Sequence, residues 1–125
     1  MKYVKNETKK EEKEKFDLQE CFVLWRRVSD KKVEYFTGHD FNKNRIVAFN
    51  NEKKTEKQPD IRVYSVKEDG SRDIEIISLW KTKFASGKEG LTGVTNENEK
   101  IIAFYGDINK EARPYIRGYF RKDNE

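Results

Sequence analysis

Two segments of the chain place arginine and tyrosine at alternating positions, a pattern with the chemistry to bind an unpaired nucleic-acid strand. The first reads IRVY and contains Arg62 and Tyr64, and the second reads YIRGYFR and contains Arg117, Tyr119 and Arg121. Successive side chains of a β-strand point to opposite faces of the sheet, so the arginine and tyrosine of each segment should share a face. Aromatic rings beside guanidinium groups can stack unpaired bases and contact phosphates.

Two tryptophan segments carry a similar combination of aromatic and cationic groups. FVLWRR has Trp25 and Arg27 on one strand face, and ISLWKT has Trp80 followed by Lys81. The alternative is structural, because a tryptophan can belong to the core and an arginine over a tyrosine can be a cation–π contact that only holds a surface together. The candidate nucleic-acid-binding residues are therefore Trp25, Arg27, Arg62, Tyr64, Trp80, Lys81, Arg117, Tyr119 and Arg121.

The chain has few of the groups that catalysis or metal binding needs. His39 is its only histidine and Cys21 its only cysteine, so a Ser-His-Asp or Cys-His arrangement would depend on His39 alone and a Cys/His zinc site would lack ligands. His39 follows Gly38 in a predicted turn, where we expect an exposed side chain. No phosphate-binding loop, dinucleotide fingerprint or EF-hand spacing occurs. We expect a protein that is not an enzyme and that has no metal and no cofactor.

An internal duplication is the strongest feature of the sequence. Shifted by 55 residues, segment 20–67 aligns with segment 75–122 without a gap, and 15 of the 48 aligned pairs are identical. The identical pairs include both tryptophans, Trp25 and Trp80, and both prolines of the chain. The repeat predicts two structurally equivalent units, repeat 1 (20–67) and repeat 2 (75–122).

Each repeat reads as four short strands. Val and Ile total 17 residues against 8 for Leu and Ala, and β-branched residues favour strands. A unit of about 50 residues is only marginally stable alone, so we expect residues 20–125 to form one all-β domain, a pseudo-two-fold antiparallel barrel or sandwich. Polar turns bound the predicted strands at 21–29, 33–38, 45–50, 61–66, 74–83, 89–95, 100–105 and 115–121. The segment 67–73 is expected to link the two repeats.

The remaining composition describes the surface and the beginning of the chain. Charged residues make up 40% of 125 residues, and the net charge of +4 permits an anionic partner without requiring one. Residues 1–19 contain 11 charges of mixed sign, so we expect a disordered or helical tail. No apolar run reaches the roughly 18 residues of a membrane helix, and the single cysteine is typical of a reducing compartment. These features predict a soluble protein without a membrane partner.

Short motifs spread over most of residues 20–105, in FNNEKKTEKQPDIRVYSV and ISLWKTKFASGKEGLTG among others, resemble those of small uncharacterised proteins carried by phages and plasmids. That pattern runs Trp-Lys, Tyr-x-Thr-Gly, an apolar strand, Asn-x-x-Lys and Pro-Asp-Phe-Arg-Val. Here it reads WR at 25–26, FTG at 36–38, IVAF at 46–49, NEKK at 51–54 and PDIRV at 59–63. The resemblance implies an origin in a mobile element, a cytoplasmic location in a bacterial host, and a role near DNA replication, transfer or host defence.

The second repeat keeps only part of that pattern. It retains Trp80-Lys81, Thr92-Gly93 and Pro114 but has Tyr115 in place of the aspartate, and GDI at 106–108 in place of the Asn-x-x-Lys segment. If the Asn-x-x-Lys segment binds a ligand, the second repeat is expected to bind it differently.

The sequence leaves three functional hypotheses. The first is an accessory protein that binds nucleic acid, single strands in particular, through the repeated Arg/Tyr face. The second is a protein-binding module, such as a phage inhibitor of a host defence complex, which would use exposed strand edges or the polar loops 51–58 and 106–113. The third is self-assembly by pairing of strand edges between chains. The oligomeric state is not predicted.

Overall fold

A computed structural model describes residues 19–121 as a closed barrel of eight antiparallel strands. The strands follow chain order around the barrel, and β1 closes it by pairing with β8. The predicted all-β fold is confirmed, and of the two architectures expected the barrel is the correct one. The strands are β1 (Gln19–Val28), β2 (Glu34–Asp40), β3 (Arg45–Asn50), β4 (Ile61–Val66), β5 (Arg72–Lys83), β6 (Glu89–Thr95), β7 (Lys100–Tyr105) and β8 (Ile116–Phe120).

The charged tail expected at 1–19 falls almost entirely outside the described residues. Only its last residue, Gln19, is described, and it begins β1. Among residues 19–121 there is no helix of the length and apolarity that a membrane crossing requires.

The 55-residue repeat is visible in the strand pairing. Trp25 lies opposite Thr37 in the β1–β2 pair, and Trp80 lies opposite Thr92 in the β5–β6 pair. The seam between β8 and β1 and the pair β4–β5 also correspond, and each contains a register shift, at Cys21 and at Ile76 respectively. Residues related by the repeat therefore occupy equivalent positions on opposite halves of the barrel.

Four strands, β1, β2, β5 and β8, differ from the predicted bounds by one or two residues at their ends, and the changes in β2 and β5 alter the interpretation of the neighbouring turns. Strand β2 does not end at Gly38 but continues to Asp40, because the turn that follows is organised by the Asp40 carboxylate, which accepts the N–H groups of Asn42 and Asn44. Lys43 completes this turn with a positive φ of 69°. The expectation that His39 lies in an exposed turn is therefore wrong, because His39 is a half-buried strand residue. The predicted linker 67–73 is the β4–β5 hairpin, and β5 already begins at Arg72.

Side chains fill the barrel interior. Alternate residues of every strand point inward, and between the two ends of the barrel they are apolar because they are removed from water on all sides. Packing differs between the repeats where residue size differs, since a Cβ on Gly118 would lie 2.2 Å from the Phe22 ring. At the corresponding place in the β4–β5 pair, Val63 and Ile77 share the volume instead. The largest fully buried side chains are Phe22, Phe36, Leu24, Ile61, Leu79, Leu91, Ile101, Ile116 and Val63.

We call the end of the barrel where β1 ends and β2 begins the barrel mouth. A cluster of charged groups lies there. The Arg26 guanidinium pairs with Glu34, which also accepts a hydrogen bond from Asn50 at 3.0 Å. Asp60 accepts the backbone N–H of Lys81 at 2.8 Å and pairs with Lys53 at 3.2 Å. Burial alone would raise the pKa of each carboxyl, but these hydrogen bonds and cations outweigh it and hold both pKa values below their usual range.

We therefore expect Glu34 and Asp60 to make the barrel sensitive to acid. A carboxylate whose pKa is lowered by folding stabilises the protein above its ordinary pKa, and this contribution is lost as the pH falls through the lowered value. The ordinary pKa values are 4.5 and 3.8, so the contribution should be complete at neutral pH and decline below about pH 4.5. Urea unfolding across this range should give a shallower pH dependence for E34Q/D60N than for the wild type. Equal slopes would contradict the assignment.

Candidate nucleic-acid interface

The outer face of β1, β2 and β3 carries an open groove of about 620 Å³, which we call the first-repeat groove. Thr37 and Val47 are opposite one another in the β2–β3 pair and form its floor. None of the residues that line the groove has a carboxylate, although acids make up 23 of the 125 residues. Aromatic and cationic side chains surround the floor, namely Trp25, Arg27, Tyr35, His39, Lys43 and Arg45.

Contacts within the groove hold several of these side chains in place. The Arg27 Nε donates to the Thr37 hydroxyl at 3.1 Å, and the Arg45 guanidinium donates to the backbone oxygen of Lys67 at 3.5 Å. The Trp25 and His39 rings are tilted against each other with centroids 5.8 Å apart. The groove therefore presents aromatic rings and guanidinium groups whose orientations are largely fixed before any ligand binds.

An equivalent groove of about 470 Å³ lies on the outer face of β5, β6 and β7, which we call the second-repeat groove. Trp80 replaces Trp25 and Thr92 replaces Thr37, and this groove is also free of carboxylates. The second-repeat groove offers one ring and one cation fewer at these positions, because Val94 and Asn98 stand where the first-repeat groove has His39 and Lys43.

The two tryptophans hold the two long loops of the barrel. The Trp25 indole N–H donates to the backbone oxygen of Ala112 at 3.2 Å, and the Trp80 indole N–H donates to that of Lys57 at 3.0 Å. Ala112 belongs to the β7–β8 loop and Lys57 to the β3–β4 loop, so each tryptophan binds the loop of the other repeat. Both rings are half-buried. The tryptophans are thus structural residues whose remaining exposed surface borders the grooves.

Removing either indole N–H should loosen the loop of the opposite repeat. We expect Trp80→Phe to speed amide hydrogen exchange in loop 51–60, and Trp25→Phe to speed it in loop 106–115. The loss of one hydrogen bond should cost about 0.5–1.5 kcal/mol of unfolding free energy. Hydrogen–deuterium exchange with peptide resolution checks the pattern, and each variant is the control for the other. If either variant changed the exchange rates of both loops equally, the assignment of each tryptophan to the loop of the opposite repeat would be contradicted.

The first Arg/Tyr pair is already engaged within the protein. Arg62 donates two hydrogen bonds to the Glu75 carboxylate, at 2.8 and 3.0 Å. The Arg72 guanidinium lies over the Tyr64 ring, 4.8 Å from its centroid, and beside the Phe49 ring. Arg62 and Tyr64 share the outer face as predicted, but these contacts give them the structural role that was the alternative.

The second Arg/Tyr pair is more open. Tyr119 packs against Phe104 with ring centroids 6.0 Å apart, and Phe104 remains 39% exposed. Arg117 on β8 and Arg121, the residue after the strand, are both exposed. Within residues 19–121 Arg117 has no ion pair equivalent to that of Arg62, although Glu20 has the position in the β8–β1 pair that Glu75 has in the β4–β5 pair. The outer face of β8 lies beside the second-repeat groove, whose lining includes Arg121.

Lys81 lies apart from the other candidate residues. It is opposite the buried Leu91 in the β5–β6 pair, so it points toward the barrel axis at the mouth rather than to the outer face of Trp80. Its backbone N–H is bonded to Asp60. The structure thus does not bring Lys81 together with Trp80.

Four groove residues were missed by the sequence interpretation: Tyr35, His39, Lys43 and Arg45. Alternation along β2 would have placed Tyr35, Thr37 and His39 on one face had the strand been extended beyond Gly38. Lys43 and Arg45 reach the groove only because the 40–44 turn returns the chain beside β2. That position depends on tertiary pairing, for which the sequence carries no local signal.

Neither a reactive thiol nor a metal site adds to this interface. Burial raises the pKa of the Cys21 thiol to about 12, assisted by the charges of Glu99 and Asp40, so the thiol stays protonated at neutral pH. Over residues 19–121 no three side chains of His, Cys, Asp or Glu converge as metal ligands would.

Comparison with known proteins adds no relative from which a function can be taken. No protein-family model, no curated protein and no solved structure matches the chain. The resemblance to phage- and plasmid-borne proteins rests on short sequence motifs alone and stays a prediction.

Proposed function

We propose that this protein binds single-stranded nucleic acid and that the first-repeat groove is its principal site. The observation that carries the proposal is the groove lining, which combines three aromatic rings with Arg27, Lys43 and Arg45 and contains no carboxylate. Arginine and lysine neutralise phosphates, and each base stacked on an aromatic side chain contributes about 1–3 kcal/mol. An accessory role in a phage or other mobile element agrees with the resemblance described above.

The geometry favours a single strand over a duplex. The aromatic rings of the groove, of which Trp25 is the largest, can stack with bases. Such stacking requires bases that are unstacked from their neighbours. A duplex hides the faces of its bases and is read through groove edges, usually by a helix or a two-stranded ribbon. Residues 19–121 contain no helix, and every strand among them is part of the barrel wall.

The test is fluorescence anisotropy with a labelled homopolymer at two salt concentrations. We expect binding at about 50 mM salt and a marked loss of affinity at about 200 mM, because phosphate contacts release counterions. A duplex of equal length is the control, and it should bind more weakly since it offers no free base faces. Absence of binding at the lower salt concentration would refute the proposal.

A second candidate function, a protein-binding module, is favoured by an apolar patch at the barrel mouth. Val28 and Ile108, each 49% exposed, lie together on a surface bordered by Arg26, Lys110 and Glu111. Strand addition and edge-to-edge self-assembly lose their basis, because each of the eight described strands already has a neighbour on both sides. A host protein would instead contact the patch and loop 106–115. A stoichiometric protein partner captured from nuclease-treated host lysate, and lost in Ile108→Glu, would favour this function.

A further inference from the structure

We propose that one protein chain holds two single strands of nucleic acid at once, one on each side of the barrel. This inference rests on the proposed function, since it extends the first-repeat site to its counterpart in the second repeat. It adds an activity, the bridging of two strands, that a single groove could not perform.

The barrel topology sets the two grooves on opposite sides. The first-repeat groove lies on β1, β2 and β3, and the second-repeat groove on β5, β6 and β7. In a ring of eight strands, β1 and β5 are four places apart, which is as far as the ring allows. A short strand bound in one groove therefore leaves the other groove open, and the barrel wall keeps the two bound strands apart.

The second-repeat groove has the chemistry of a weaker site of the same kind. Trp80 offers one aromatic ring, and Arg121 occupies the place of Val66, which contributes a cation that the first-repeat groove lacks there. The exposed Arg117 and the Phe104–Tyr119 pair extend this face along β8. With fewer rings and cations lining it, the second-repeat groove should bind about ten- to a hundredfold more weakly than the first.

The inequality of the grooves predicts how bridging depends on concentration. At low oligonucleotide concentration only the first-repeat groove is filled, and each chain holds one strand. At higher concentration the second-repeat groove fills, and each chain brings two strands within one barrel diameter. Long strands would then be linked in pairs, or one long strand would wrap around the barrel.

Native mass spectrometry and energy transfer test this with two short homopolymers of about six nucleotides, one carrying a donor dye and the other an acceptor. The equivalent floor residues provide matched variants, because Thr37→Glu places a carboxylate in the first-repeat groove and Thr92→Glu places one in the second. Thermal melts establish that both variants fold. If T92E fails to fold, Arg121→Ala replaces it, since Arg121 is exposed and its removal leaves the floor unchanged.

We expect the wild type to form a complex of one protein with two oligonucleotides and to give energy transfer. T92E should keep the tight one-to-one complex and lose both the second oligonucleotide and the energy transfer, whereas T37E should lose the tight complex. Saturation of the wild type at one oligonucleotide would overturn the bridging inference and leave the proposed function standing. So would energy transfer carried only by complexes that contain two proteins. A wild type that binds no oligonucleotide, or T37E binding as well as wild type, would overturn the proposed function itself.

Discussion

Replacing Gly38 by alanine is expected to cost at least about 3 kcal/mol of unfolding free energy, the upper end of ordinary overpacking. A Cβ at this position would lie 1.9 Å from the backbone oxygen of Val23, and at Gly93 it would lie 2.0 Å from that of Ser78. The obstacle is the backbone of the neighbouring strand, which cannot rotate away as a side chain can. Relief requires the strands to separate where Leu24 faces Gly38 and Leu79 faces Gly93.

The sign of the change in unfolding free energy distinguishes a clash of the added Cβ with the neighbouring backbone from the general preference of strands for alanine over glycine. Glycine within a strand is ordinarily less favourable than alanine, so propensity alone would make Gly38→Ala and Gly93→Ala stabilising. Gly70→Ala is the matched control, because Gly70 has a positive φ of 93° but no atom within 4 Å of an added Cβ. It should cost about 1–2 kcal/mol for backbone strain alone. Urea unfolding of the three variants checks the order of their unfolding free energies. If G38A were as stable as G70A, or more stable, the close approach of the two strands at Gly38 would be refuted.

Converting the first-repeat groove into its counterpart should abolish most nucleic-acid binding while leaving the fold intact. The change combines Arg27→Thr, His39→Val and Lys43→Asn, and each new residue already stands at the equivalent position of repeat 2. Asn98 even has the same positive φ as Lys43, 68° against 69°, so the turn accepts the substitution. Two cations and one ring are lost. We expect affinity at about 50 mM salt to fall at least tenfold and the salt slope to shrink by about 1.4, or 0.7 for each phosphate contact to a single strand.

The matched control removes the same charge elsewhere. Lys31→Thr with Lys88→Asn takes one cation from each of the two exposed hairpin turns at the barrel mouth, away from both grooves. Its affinity should stay within about threefold of the wild type, because surface charges far from a ligand are screened by salt. Anisotropy titrations of both variants decide the matter. Equal losses in the two variants would mean that net charge, not the groove, determines binding.

Much of the fold follows from the sequence because the repeat supplies each strand twice. Four strands, β3, β4, β6 and β7, begin and end as predicted, since apolar runs such as IVAF and IIAF lie between polar turns. The sequence predicts too short a β2, because Gly38 is typical of a turn. In the barrel this glycine instead allows the close approach of two strands. Barrel and sandwich have the same alternation and the same hairpins, so only the pairing of β1 with β8 distinguishes them, and that pairing has no local sequence signal.

The sequence predicts the residue types of the candidate site better than it predicts where on the barrel they come together. Alternation correctly put Trp25 and Arg27 on one outer face, and Arg62 and Tyr64 on another. It could not reveal that Glu75 neutralises Arg62 or that Arg72 covers Tyr64, because these partners come from a neighbouring strand. The groove itself assembles side chains from four strands and a turn, and such an assembly appears only once the register between strands is known.

The loop contacts of the tryptophans have a further consequence for the order in which the barrel forms. Seven of its eight strand pairs join neighbours along the chain, whereas β1 and β8 meet only after the whole chain between them has folded back. Closing so long a loop carries an entropy cost that no local contact offsets in advance, which makes it the natural slow step of folding. At this seam Tyr115 donates its N–H to Leu24 and Trp25 binds Ala112. The equivalent contacts at β4–β5 stabilise two strands that a hairpin already joins. At β8–β1 no hairpin joins the strands, so there these contacts hold the barrel closed.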